Sequence, residues 1–196
     1  ARPATIGSAR SGRTSRPSCV LLDANVVIAA HELGVWDWLV RVIHVRVPSI
    51  VVRGEALYYH PLAQPKKKVP IDLPAQVQSG TIEELVGTAE DIARVLSVFD
   101  RSFVGGIHAG EAEGLALVLA GFAGDAQFCS GDALAIQALA MLGLAERAVS
   151  FEVLLGGKKT VVPLAAQCTE DYLRRNLAIG QERRITGEGL RKGLLD

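Results

Sequence analysis

The chain of 196 residues has no apolar run that approaches a membrane span, and its start carries no hydrophobic segment of the signal-peptide kind. Both absences argue for a cytoplasmic protein. Cysteine is scarce: Cys19, Cys129 and Cys168 lie far apart. Their spacing excludes the paired ligands of a zinc site, and an odd number leaves any disulfide scheme incomplete. Cys19 and Cys129 sit in apolar strand-like runs and are expected to be small core residues. Net charge is lacking too, because 21 Lys and Arg balance 21 Asp and Glu. That total announces no polyanionic partner, although acids gathered in a pocket with bases outside it would still make a nucleic-acid surface. No GxGxxG follows the first apolar strand, which disfavours a dinucleotide-binding fold, and the chain contains no repeat.

What is present suits one domain with a substantial core, since 49% of the residues are apolar. Residues 1–18 form a basic segment, with Arg2, Arg10, Arg13 and Arg16 and no acid, expected to be flexible and solvated. A second basic knot is Lys66, Lys67 and Lys68. The organising stretch is CVLLDANVVI, residues 19–28. Its unbroken apolar run reads as a strand buried on both faces, which puts Asp23 at the carboxyl end of that strand, where parallel sheets place their ligands.

Beyond it, the pattern predicts helix over 25–40 with a break at Gly34, and strand over 43–47. Pro48 and Ser49 start a helix that carries Glu55. Four prolines and three lysines over 60–80 predict a long connection with a short strand at 75–78. Helix starts are expected at 81–84 and at 88–91, the second running to about Phe99. Helix over 108–120, strand over 126–129, helix over 133–142 and strand over 148–151 follow, then a short helix ending at Gly156 and Gly157. Thr169 caps a helix over 170–177, and 181–196 shows no periodicity. Alternating strands and helices predict an α/β fold, a three-layer α/β/α with a mainly parallel central sheet.

Asp23 and Asp132 share a context, each following an apolar strand at the mouth of a helix. Glu111 opens a helix and Glu55 lies early on another, so four acids from four segments can meet at one sheet edge. Taken singly, each has a plain structural use: Asp as a helix N-cap, Glu in a first turn. Together, carboxylates at close range resist joint ionisation unless a cation neutralises them. Oxygen donors without Cys or His favour Mg²⁺ or Mn²⁺. Such ions activate water and steady phosphoryl oxygens, which is phosphodiester hydrolysis. None of His31, His44, His60 and His108 is assigned to catalysis, with His108 expected to cap or meet solvent. Trp36 and Trp38 are expected in the core or an interface.

The segments LLDANVVI, VPSIVVRGEAL, HAGEAEGLALVLA and FCSGDALAIQALAMLGL, in this order, resemble the PIN-domain ribonucleases, which include toxins of bacterial toxin-antitoxin pairs. The resemblance spans roughly 19–155. It implies a PIN-like nuclease domain over 19–158, with 159–196 a C-terminal helical appendage. It makes Asp23, Glu55, Glu111 and Asp132 the catalytic and metal-holding acids, of a toxin-like or GEAE-bearing branch. Asn25 resembles an amide supporting the first Asp, and Ser130 stands at the family's hydroxyl position. Glu113, two residues along the same helix, is the alternative to Glu111, and only one of the two should reach the site. The implied activity is Mg²⁺- or Mn²⁺-dependent endoribonuclease, with RNA as substrate, an antitoxin protein and a homodimer as possible partners, and no membrane. Departures are Gly131, where relatives carry a larger polar residue, and the inserted 60–74 segment. The rival of another class is a non-catalytic PIN-like module that binds RNA or protein. A haloacid-dehalogenase-like phosphatase would need an acid where Asn25 stands.

Overall fold

The computed structural model describes residues 16–191. The basic start expected over 1–18 therefore falls, through residue 15, outside the described residues.

Strand β1, Cys19–Leu22, is buried at all four positions, as its unbroken apolar run requires. Its side chains alternate between two cores. Val20 and Leu22 pack with Val45, Val47 and Cys129 on one face, while Cys19 and Leu21 pack with Phe128 on the other. The remaining strands are β2 (His44–Pro48), β3 (Tyr58–Tyr59), β4 (Val69–Pro70), β5 (Glu83–Leu85) and β6 (Gln127–Cys129). β1 pairs in parallel with β2, Val20 opposite Val45, and with β6, Leu22 opposite Cys129. β2 pairs in parallel with β5, so the main sheet reads β5-β2-β1-β6, and β3 and β4 form a separate antiparallel pair.

The helices are α1 (Ala24–Glu32), α2 (Trp36–Val42), α3 (Leu73–Gln78), α4 (Ala89–Leu96), α5 (Arg101–Val104), α6 (Ala109–Leu119), α7 (Ala133–Met141), α8 (Phe151–Leu155) and α9 (Glu170–Thr186). A π-helical turn occupies Val51–Glu55. α1, α2, α3, α8 and the π-helical turn fill the core on one face of the sheet, and α4 to α7 fill the other. The expected three-layer α/β/α architecture with a parallel sheet is the one observed. Among the described residues no helix is long and apolar enough to cross a membrane.

Four local expectations need correction. Residues 75–78 are not a strand but part of α3, because the Asp72 carboxylate accepts from the Ala75 N–H at 3.0 Å. Pro74 is tolerated in that first turn, where an N–H would have no helical partner anyway. Residues 81–84 do not start a helix, since Glu83 and Glu84 lie in the edge strand β5. Their charges are matched by Arg46 and Arg53, each at 2.7 Å. Of the strand expected over 148–151 only one bridge survives, Ala148 to Phe128, because the Ser150 hydroxyl accepts from the Val153 N–H and starts α8. The last helix does not stop near 177 but runs to Thr186.

That continuation has a packing reason. A Cβ on Gly180 would collide with the Gln137 carbonyl on α7, so the glycine lets two helix backbones approach closely. Beside it the Gln137 amide donates to Asn176 at 2.8 Å and its carbonyl accepts from Arg183 at 2.9 Å. Close approach and polar pairing replace the apolar stripe that marks most helix interfaces.

From β1 the chain steps to β2 and β5 on one side, and β6 then returns to the other side of β1. The crevice outside the carboxyl ends of β1 and β6 is therefore the topological switch point of the sheet, the usual ligand position in such folds.

Candidate active site

At that crevice the two strand ends are tied together. The Asp23 N–H donates to the Cys129 carbonyl at 3.1 Å, extending the ladder one residue past β1. Asp23 also caps α1, and it is only 2% exposed. Its Oδ2 accepts from the Ser130 hydroxyl at 2.7 Å and from the Asn25 amide at 3.0 Å. Asn25 Oδ1 in turn accepts from the Gly131 N–H at 2.8 Å, and Ser130 Oγ accepts from the Asp132 N–H at 3.0 Å. Asp132 caps α7 through Oδ1, which receives the N–H groups of Leu134 and Ala135. Asn25 and Ser130 thus fix the positions of both aspartates.

The two glutamates are held by the first turn of α6. Glu55 Oε1 accepts from the Gly110 N–H at 2.9 Å, and Glu111 Oε2 accepts from the His108 N–H at 2.9 Å. These are N–H groups that a helix start leaves unpaired, and the positive end of the helix favours the two charges. A Cβ on Gly110 would collide with Glu55 Oε2 and lie 2.8 Å from Val51 Cγ2. Gly110→Ala should therefore displace Glu55 and weaken any binding of a divalent cation at this edge by about 10- to 100-fold, the range for lost supporting contacts. Calorimetric titration with Mn²⁺ checks this, and an unchanged affinity would remove Glu55 from the site.

Glu113 points elsewhere. Its carboxylate accepts from the Ser49 hydroxyl at 2.7 Å, the Ile50 N–H at 2.7 Å and the Gly87 N–H at 2.9 Å. At 1% exposure it is a buried anchor, and of the two glutamates on α6 it is Glu111 that faces Asp23 and Asp132.

The electrostatics link all four acids. Burial, with the charges of Glu55 and Asp132 adding to it, pushes Asp23 up to about 6, against the opposing bonds from Ser130 and Ala24. Burial also pushes Glu111 up to about 7, reinforced by Asp132 and Asp23 and opposed by the His108 N–H. Among the described residues no lysine or arginine forms an ion pair with any of the four, and only His108 Nδ1 stands near, 3.5 Å from Glu111 Oε1. His31 stacks between Trp36 and Tyr59, and burial holds it down at about 4, uncharged at neutral pH. Trp36 is buried, and Trp38 lies under Arg16 and Lys158.

Among the described residues no group of three or more His, Cys, Asp or Glu side chains has its donors gathered closely enough to hold a metal ion as they lie. Each acid instead rests on hydrogen-bond donors of the chain. The set nevertheless fits a hard divalent cation. Its donors are all oxygens, Asp23 and Glu111 have burial and mutual repulsion to relieve, and among the described residues only His108, beside Glu111, offsets any of it. The chain matches no protein-family model, no curated protein and no solved structure.

Proposed function

We propose that the protein is a PIN-type ribonuclease that cleaves RNA with Mg²⁺ or Mn²⁺. What supports the reading is the placement of Asp23 and Asp132, tied through Ser130 and Asn25, at the switch point of a parallel sheet, with Glu55 and Glu111 both held by the first turn of α6. Those four would hold the metal. When bound, a divalent cation supplies activation of water and neutralisation of charge on the phosphoryl oxygens. Ser130 and Asn25 keep Asp23 Oδ2 fixed, and Asn25 holds the Gly131 backbone that leads into Asp132. α1, α6 and α7 all begin at this edge, so their N-termini add a field that favours a phosphate. No covalent nucleophile is needed.

Metal affinity should rise steeply with pH. Asp23 at about 6 and Glu111 at about 7 hold protons that a cation must displace, so binding is weak below that range and releases protons within it. Calorimetric titration with Mn²⁺ should show at least about tenfold tighter binding at pH 8 than at pH 5.5. Affinity independent of pH would argue against these two carboxylates as ligands. Metal-dependent cleavage of mixed single-stranded and structured RNA tests the activity itself, and tight RNA binding without cleavage at any metal concentration would favour a binding module.

A further inference from the structure

A cavity of about 480 Å³ opens beside the Asp23–Asp132 end of the site, within the size range of small-molecule clefts. Asn25 and Gly131, which brace Asp23 and precede Asp132, form one wall, so the cavity is continuous with the acidic edge. Much of the rest is apolar. Leu62 and Val162 lie at its surface, 47% and 38% exposed. Among the described residues the only charged one lining it is Glu32, accompanied by the amide of Gln167, and no described lysine, arginine or histidine contributes. Glu32 is half-buried where it lines the cavity, in the same wall as Cys168.

A cavity with one carboxylate and no base repels phosphate and admits a flat neutral group that brings its own donors. Among nucleobases the choice narrows further. Guanine presents two adjacent donors, N1–H and N2–H₂, to a single carboxylate. Adenine and cytosine each place a ring-nitrogen acceptor beside their amino group, and uracil flanks its one N–H with carbonyl oxygens. A carboxylate repels each of those acceptors.

We propose that this cavity takes a guanine base adjacent to the scissile phosphate, with Glu32 accepting from N1–H and N2–H₂ and the Gln167 amide donating to O6. The assignment to a substrate base rests on the nuclease reading above. A base seated there has left its stack, which selects unpaired RNA.

The test separates the two readings. Metal-free protein is titrated with the 5′-monophosphates of guanosine, adenosine, cytidine and uridine, using parent, Glu32→Gln and Ala29→Phe, whose ring would fill the cavity. The parent should bind the guanosine nucleotide roughly 10- to 100-fold more tightly than the others. Glu32→Gln should erase that preference, and Ala29→Phe should lose binding. In parallel, cleavage of a mixed RNA should map next to guanines in the parent, and Glu32→Gln should cut without that preference. Equal binding of the four nucleotides, or an unchanged preference in Glu32→Gln, overturns the guanine site even if RNA is cut. A parent that binds guanosine monophosphate selectively but cuts no RNA under any metal keeps the site and removes the nuclease reading.

Discussion

Replacing Asp23 by Asn is expected to lower metal-dependent RNA cleavage by on the order of 100- to 1,000-fold, and also to make the metal-free protein harder to melt. The second effect follows from the first residue of the site being a liability to the fold. Asp23 rises from 3.8 to about 6 on folding, a cost of about 3 kcal/mol to its ionised form above that pH. Asn can keep the bonds from Ser130 and Asn25 but turns its NH₂ toward the Ala24 N–H, losing an N-cap worth about 1 kcal/mol. The net gain is about 2 kcal/mol at pH 8, or a Tm higher by about 4 to 8 °C. The sign depends on pH. A carboxylate whose folded value is raised favours the folded state below its unfolded value and loses that contribution as pH rises through the folded one, here between about 4 and 6. The advantage of Asn should therefore vanish near pH 4. Melting curves at pH 4 and pH 8 read this directly. A lower Tm at pH 8 would mean that Asp23 serves only as a cap, and unaltered cleavage would end the nuclease reading.

Glu113→Ala is expected to damage the fold severely, costing about 3 to 5 kcal/mol, because three donors lose their acceptor at about 1 to 3 kcal/mol each. The Ser49 hydroxyl and the N–H groups of Ile50 and Gly87 would lose their acceptor in a site closed to water. Glu113→Gln should fall between the two. One amide oxygen can serve Ser49 and Gly87, which share Oε1, but its NH₂ then opposes the Ile50 N–H. Urea unfolding should rank parent above Gln above Ala. An alanine variant within about 1 kcal/mol of the parent would contradict the anchoring role.

The parts of the fold written in the sequence are those where burial sets the pattern. β1 is an unbroken apolar run because both its faces are covered, and α6 and α7 announce themselves through apolar residues behind Glu111 and Asp132. β5 was hidden because its sequence, Glu-Glu-Leu, is acidic, and those acids make sense only opposite Arg46 and Arg53. The C-terminal half of α9 was hidden because its contact uses Gly180, Asn176 and Arg183 instead of an apolar stripe. Within the candidate site, Asn25 and Ser130 are implied only by the family resemblance, while the four acids could be nominated from position after a strand or early on a helix. The division of labour between Glu111 and Glu113 could not, because it depends on Ser49 and Gly87, which approach from other segments. The need for Gly110 had one faint signal, a small residue in a first helical turn, and the cavity under Leu62 had none.

The pairing of Asp23 with Ser130 spans 107 positions of chain. Asp23 and Glu55 emerge early from a ribosome, yet Glu111, Ser130 and Asp132 follow only after most of the sheet has been made. An unfinished chain thus holds half of its acids with nothing to face them. The edge at which Asp23 and Ser130 meet is therefore assembled only once β6 has joined the sheet.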